Sequence, residues 1–195
     1  MKTGRMEAFS DGVLAIIITI MVLEIRAPHG GQLADLIPLV PTFLSYVLSF
    51  VYIGIYWNNH HHLLHTVQTV SGGILWANLH LLFWLSLFPV ATAWMGENHF
   101  SALTTALYGF VLLMAAIAYW ILQTAIIRGQ GPDSLLFRAI GNDIKGKISP
   151  LIYLVALLFA FVVPWISQLL YVLVAALWLV PDRRIEKSLS RSEGA

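Results

Sequence analysis

Residues 5–24 read RMEAFSDGVLAIIITIMVLE, an apolar run with acidic side chains at both ends. Only twelve residues between Asp11 and Glu24 are free of charge, and they span about 18 Å as an α-helix. A carboxylate in lipid costs at least ~2.5 kcal/mol, so acidic residues in membrane helices usually face protein or water. The stretch therefore predicts a helix at membrane depth whose ends lie in aqueous vestibules.

The composition is that of an integral membrane protein. Hydrophobic residues make up 58% of the 195, charged residues 11%, and the mean hydropathy is +0.78. So few polar side chains cannot cover the surface of a soluble domain. The net charge of +1 gives no sign of a nucleic-acid partner, and the absence of cysteine excludes disulfides and thiol chemistry. Glu7 and Asp11 do not suit a signal peptide, so we expect the first apolar segment to remain in the mature protein.

The chain contains six apolar windows of the kind that cross a bilayer, which requires about 20 apolar residues. Breakers separate them, among them Pro28, the turn Ser71-Gly72-Gly73, and Pro164. The fifth and sixth windows are short and predict a helical hairpin. We expect one all-α, six-helix domain over residues 1–195, with helices at about 6–25, 36–65, 74–94, 102–127, 148–163 and 165–180.

The distribution of Lys and Arg predicts the orientation. If both termini lie inside, the outer loops contain Arg26 alone among the 11 Lys and Arg residues. Cytoplasmic segments of membrane proteins are enriched in these residues. The sequence therefore predicts a multi-pass protein of the cell membrane with cytoplasmic termini. The inner residues are Lys2, Arg5, Arg128, Arg138, Lys145, Lys147, Arg183, Arg184, Lys187 and Arg191.

A helical projection of the first segment separates two sets of side chains. One stripe, at i, i+3, i+4 and i+7 spacing, is formed by Gly12, Ile16, Thr19, Ile20 and Leu23. The other faces are also apolar, with Leu14, Ile17, Ile18 and Met21, so the helix is expected to be buried in protein on every side.

Polar residues of the same helix point away from this stripe. Ser10 and Asp11 are expected to join a hydrogen-bonded network with histidines 60–62 at the end of the second segment and with Asn78 and His80 in the third. We expect Asp11 to pair with His60 or His61, because a buried polar group requires a partner.

Three motifs carry a resemblance to a known family. They are R-x-x-x-F-S-D at residues 5–11, YWNNHH at 56–61, and NLHLLFWLSLFPVATAW at 78–94. Together they resemble the endolysosomal potassium channel family, that is, transmembrane protein 175 and its bacterial relatives. The remaining segments match in number and length of helices only.

The resemblance implies a potassium-permeable cation channel rather than an enzyme, with no cofactor and no metal. It implies a homotetramer in the lipid bilayer, with the first helices around a central pore that prefers potassium over other monovalent cations. Ile16 would form a hydrophobic constriction, Ile20 and Leu23 would form the next layers, and Thr19 matches a position implicated in potassium preference. The motif residues Arg5, Phe9, Ser10 and Asp11, with His60, His61 and Asn78, would support the pore helix. The carbonyl-lined T-V-G-Y-G filter of other potassium channels is absent from the sequence.

Two other classes of function remain open on the sequence. His61 and His65 are at i, i+4, a spacing that can hold a metal or haem, and His60 or His80 could join them. That stretch contains no accompanying carboxylate, so the sequence favours a hydrogen-bonded histidine network. A proton-coupled carrier with Asp11 and the histidines as a relay is the other alternative. Thr19 also has two interpretations, an ion ligand or a hydroxyl bonded to the carbonyl of residue i−4.

Overall fold

The computed structural model describes residues 3–131, 136–137 and 143–179, and within them every regular element is a helix. The four stretches long and apolar enough to cross a membrane are Gly4–Leu23, Leu33–His65, Gly72–Glu97 and Ala102–Gln130. Two shorter helices follow them, of which Pro164–Leu179 is apolar. The all-α membrane fold expected from the sequence is confirmed. The elements are α1 (Gly4–Leu23), a 3₁₀ helix (Leu33–Leu39), α2 (Val40–His65), α3 (Gly72–Ser86), α4 (Phe88–Glu97), α5 (Ala102–Gln130), α6 (Ile144–Phe159) and α7 (Pro164–Leu179).

Prolines determine where two of the long segments change geometry. The segment expected at 74–94 consists of two helices, because Pro89 in the first turn of α4 has no N–H to continue the hydrogen bonds of α3. The second segment begins as a 3₁₀ helix that contains Pro38, and α2 starts with Pro41 in its first turn. Pro41 and Pro89 each lie in the first turn of an α-helix, where a missing N–H costs little.

The last two helices form the expected hairpin, shifted along the chain. α6 begins at Ile144 rather than 148, because the Asp143 side chain caps it by accepting a hydrogen bond from the Gly146 N–H at 2.9 Å. A short turn at residues 160–162 leads to α7, and the Ser167 hydroxyl donates to the Ala156 carbonyl at 2.6 Å. Val180, the expected end of the last helix, lies outside the described residues.

Tyrosine hydroxyls connect the helices of the core. Tyr52 of α2 donates to the Tyr171 carbonyl of α7 at 2.6 Å and accepts from Tyr153 of α6 at 3.3 Å. The Tyr171 hydroxyl in turn donates to the Thr105 carbonyl of α5 at 3.1 Å. Every buried side-chain nitrogen and oxygen among the described residues has a partner, as a buried polar group requires.

α1 packs against α2, α3 and α4 through one face only. Its buried residues recur every three or four positions: Met6, Ser10, Leu14, Ile17 and Met21. The opposite face is open, with Ile16 58% and Leu23 78% exposed. The expectation that α1 is buried on every side is therefore wrong for the single chain, because neighbours on one side leave half of the helix uncovered.

The start of α1 and the end of α2 lie at the same end of the bundle. The Thr3 hydroxyl donates to the Val67 carbonyl at 3.0 Å. A second helix pair is joined in the same way, since Lys145 at the start of α6 donates to the Leu177 carbonyl near the end of α7 at 3.1 Å.

Several cations on which the predicted orientation rests are outside the described residues, namely Lys2, Arg138, Arg183, Arg184, Lys187 and Arg191.

Candidate pore helix and its supporting network

The four residues predicted to line a pore lie together on the exposed face of α1. Ile16, Thr19, Ile20 and Leu23 are all exposed, while Leu14 on the packed face is 2% exposed. Gly12 continues the same face toward the start of the helix and is also exposed. The chain thus presents a continuous, mainly apolar stripe that its own helices leave uncovered.

Thr19 is the polar member of this stripe. Its hydroxyl donates to the Ile16 carbonyl at 2.8 Å, so the acceptor is at i−3 rather than the expected i−4. Because that bond uses the hydroxyl proton, the oxygen retains its lone pairs for another partner. The bond therefore satisfies the backbone and still leaves an oxygen that can accept from water or coordinate a cation.

A buried chain of hydrogen bonds supports the packed face of α1. His60 Nε2 and Asn78 Oδ1 are 2.7 Å apart, Asn78 Nδ2 donates to Ser10 Oγ at 3.0 Å, and Ser10 Oγ donates to the Met6 carbonyl at 2.8 Å. Asn78 uses its amide N–H toward Ser10, so its oxygen accepts from His60. The three side chains are at most 2% exposed and join α2, α3 and α1.

The acidic residues of α1 bind a different face of α2. Asp11 Oδ1 accepts from the Trp57 indole N–H at 3.0 Å, and Glu7 Oε1 lies 3.0 Å from His61 Nδ1. The expected pairing of Asp11 with His60 or His61 is therefore wrong. The two helices are antiparallel, and their relative position along the axis places Trp57 beside Asp11. His61, one helical turn further along α2, therefore lies beside Glu7, which is one turn nearer the start of α1.

Trp57 and Glu7 were not among the residues predicted to join α1 to α2. A signal for both was present, since Trp57, His61 and His65 recur every four residues on one face of α2, and Glu7 and Asp11 do so on α1. His80 was expected in the network but accepts from the Trp84 indole on its own helix at 2.9 Å. Among the motif residues, Arg5 and Phe9 are exposed and take no part in the hydrogen bonds described above.

Fold and site together define an integral membrane protein of the helical-bundle class, whose first helix carries an exposed stripe backed by a polar network. A family model described as "Endosomal/lysosomal potassium channel TMEM175" matches residues 5–89. A potassium channel of Chryseobacterium sp. (strain P1-3) is 56% identical over 192 residues, which cover 98% of this chain and 100% of that protein. The chain belongs to the TMEM175 family, a family of ion channels and not of enzymes.

Two further comparisons bear on the fold and on the ion. The crystal structure of a lysosomal potassium-selective channel TMEM175 homolog from Chamaesiphon minutus superposes with a TM-score of 0.81 at 30% identity, covering 92% of this chain and 97% of that one. The endosomal/lysosomal proton channel TMEM175 of Gallus gallus is 42% identical over 71 residues, which cover 30% of this chain but only 14% of that longer protein.

Proposed function

We propose that the chain is a potassium-permeable cation channel whose pore is lined by the exposed stripe of α1. The observation that carries the proposal is the position of Ile16, Thr19, Ile20 and Leu23 on the one face of α1 that the subunit does not cover. The bacterial relatives named as a potassium channel and as a potassium-selective channel support the choice of ion.

The exposed stripe could instead face lipid, but the polar ends of α1 argue against it. The uncharged stretch between Asp11 and Glu24 spans about 18 Å, whereas the hydrocarbon core of a bilayer is roughly 30 Å thick. A lipid-facing α1 would draw one of these carboxylates into hydrocarbon. Around a pore both ends would lie in aqueous vestibules, where no such cost arises.

A pore bounded by protein needs several copies of α1, because each chain supplies one. Closed rotational symmetry is the usual way for identical subunits to enclose an axis, and we propose a homotetramer in which each chain is one six-helix unit. We propose further that it lies in the cell membrane with both termini cytoplasmic. Arg5, Arg128 and Lys147 support this orientation, because cytoplasmic segments of membrane proteins are enriched in Lys and Arg.

Ile16 would form the narrowest and driest ring of the pore. Four isoleucines offer an ion no ligands, so such a ring closes by dewetting and conducts when it is wide enough to admit a hydrated or partly hydrated ion. Potassium would pass more readily than sodium because it gives up hydration water at lower cost. The outward-facing Thr19 oxygens could replace part of that water, with Ile20 and Leu23 forming the next layers.

The buried network would fix the rotation of α1 about its own axis. Successive residues of a helix are 100° apart, so a rotation by one position would replace Ile16 in the pore with a neighbour. The hydrogen bonds of Ser10 with Asn78 and of Asp11 with Trp57 restrict that rotation from two directions. A fully satisfied polar network favours one arrangement over others of similar packing.

The test is ion flux through the purified protein in liposomes. We expect passive potassium current at fixed pH, with a reversal potential that follows the potassium gradient and shifts when sodium replaces potassium on one side. Protein-free vesicles and a large impermeant cation are the controls. Absence of potassium current would contradict the proposal, as would transport that requires a proton gradient, which would indicate the proton-coupled carrier. A reversal potential that follows the pH gradient alone would indicate a proton channel.

The same preparation tests the metal or haem alternative. We expect an absorbance spectrum without a Soret band and potassium current that persists after treatment with a chelator. A haem spectrum, or current that is lost with the chelator and restored by a metal ion, would favour that alternative over an unassisted pore.

A further inference from the structure

We propose that Glu7, His61 and His65 form a binding site for a divalent transition metal ion of the zinc type. The site lies where α1 begins and α2 ends, at the same end of the bundle as Thr3 and Val67. It is separate from the proposed ion pathway, because none of the three residues belongs to the exposed stripe of α1. The sequence presented the two histidines without a carboxylate, and the fold supplies that carboxylate from another helix.

The ligand atoms are already close to the spacing that a metal requires. Glu7 Oε1 lies 3.0 Å from His61 Nδ1 and 3.7 Å from His65 Nε2, and all three atoms lie within 4.8 Å of one another. Donor atoms of a tetrahedral zinc site are separated by about 3.3 Å, given bonds of about 2.0–2.2 Å. The two measured separations bracket that value. Rotation of the exposed His65 side chain can shorten the third separation, which is the one between the two histidine nitrogens.

The donor set selects the class of ion. Two imidazoles and one carboxylate suit zinc and its neighbours among the transition metals, while magnesium and calcium prefer oxygen ligands. Three protein ligands leave a fourth position for water, as in open zinc sites. His61 would bind through Nδ1 with its proton on Nε2, so the present bond from Nδ1 to Glu7 would be replaced by bonds from both groups to the metal.

The three side chains are accessible to an ion from solution. The side chains of Glu7, His61 and His65 are 25%, 40% and 51% exposed. Because Glu7 belongs to α1 and the histidines to α2, a bound ion would link the start of the proposed pore helix to its neighbour. Binding should therefore stabilise the contact between these two helices.

The proposal is tested by titrating zinc chloride into the full-length, detergent-solubilised protein after chelator treatment, with isothermal calorimetry as the readout. We expect one zinc ion per chain and a rise in melting temperature on binding. Removal of a residue that only supports a ligand typically weakens metal binding by about 10–100-fold, so Glu7→Gln and His65→Gln should each weaken it by about tenfold or more. His65→Cys, which retains a ligand, should recover most of the affinity.

The matched control is His29→Gln, which removes an exposed histidine from the loop that follows α1. It should bind zinc as the unmodified chain does. If zinc binds Glu7→Gln and His65→Gln as tightly as the unmodified chain, the site is elsewhere and the proposal is wrong. Absence of zinc binding to the unmodified chain, with its melting temperature unchanged by zinc, would also overturn it.

Discussion

Asn78 is the side chain through which three helices of the chain meet. It accepts from His60 of α2 and donates to Ser10 of α1 from its own position on α3. Asn78→Ala would leave the buried His60 N–H without an acceptor and the buried Ser10 oxygen without its donor, and an unsatisfied buried polar group costs about 1–3 kcal/mol. We expect a melting temperature several degrees lower by thermal denaturation in detergent.

Asn98→Ala is the control for that experiment. Asn98, the residue that follows α4, is exposed, and its amide donates to the Trp94 carbonyl of that helix at 2.9 Å, so removal of the amide should change the melting temperature little. Equal effects of the two substitutions would mean that the buried network does not stabilise the subunit.

Ile16 is the residue on which conduction should depend most. Ile16→Asn would place four amides at the proposed constriction, where they hold water and offer oxygens to any small cation. The dewetting barrier should fall, so the current should rise while the preference for potassium over sodium weakens. Current and reversal potential of the reconstituted variant measure both effects. Leu14→Asn, which buries an amide on the packed face, should instead lower the yield of folded protein. Unchanged conductance and selectivity in Ile16→Asn would mean that α1 does not line the pore.

The contact between α5 and α7 depends on a residue without a side chain. A Cβ at Gly109 would overlap the hydroxyl oxygen and the ring of Tyr171, whose hydroxyl donates to the Thr105 carbonyl. Gly109→Ala should separate these helices or break that bond, and overpacking of this kind costs about 1–3 kcal/mol. Thermal denaturation should show a marked loss of stability. Gly54→Ala on α2, where an added Cβ meets nothing within 4 Å, should be neutral or slightly stabilising. An unchanged melting temperature in Gly109→Ala would show that the two helices can separate at little cost in stability.

At the scale of elements, hydropathy predicted which segments are helical but not how they begin and end. α5 continues beyond the expected residue 127 to Gln130, because the helix ends where Gly131 adopts φ 88 rather than where apolar residues stop. The break before α4 was missed because Pro89 lies within an unbroken apolar run. The partner of Asp11 was also missed. Periodicity predicts which face of a helix a residue lies on, but it does not predict how far the neighbouring helix is shifted along its axis.

At the scale of the whole molecule, one face of α1 is exposed in the described chain. The hydrophobic sequence of this helix had predicted burial on every side. Periodicity on α1 grouped the residues from Gly12 to Leu23 on one face, and that face is exposed in the described chain, because the 3.6-residue repeat belongs to the helix itself; that it lines a pore stays a prediction. Which side of α1 meets its own subunit depends on contacts with three other helices, and no local pattern contains that information. The assembly that would cover the stripe depends on other chains in turn.

The oligomeric state is the first property of the assembly to measure. If α1 lines a central pore, native mass spectrometry of the detergent-solubilised protein should show four chains of 21.7 kDa each. We expect this assembly to persist on dilution, because separation would turn α1 toward the apolar phase and draw the carboxylates at its ends into it. A stable monomer would contradict the central pore.

Cysteine accessibility shows whether the exposed stripe of α1 lines the ion pathway. The chain has no cysteine, so one introduced thiol is the only target for a charged methanethiosulfonate reagent applied to reconstituted channels. Ile16→Cys and Leu23→Cys replace stripe residues, and Leu14→Cys and Met21→Cys replace residues that are 2% exposed on the packed face. We expect the reagent to block potassium current through the first pair of variants and to leave current through the second pair unaffected. Equal block on both faces, or full modification of Ile16→Cys and Leu23→Cys with undiminished current, would contradict it.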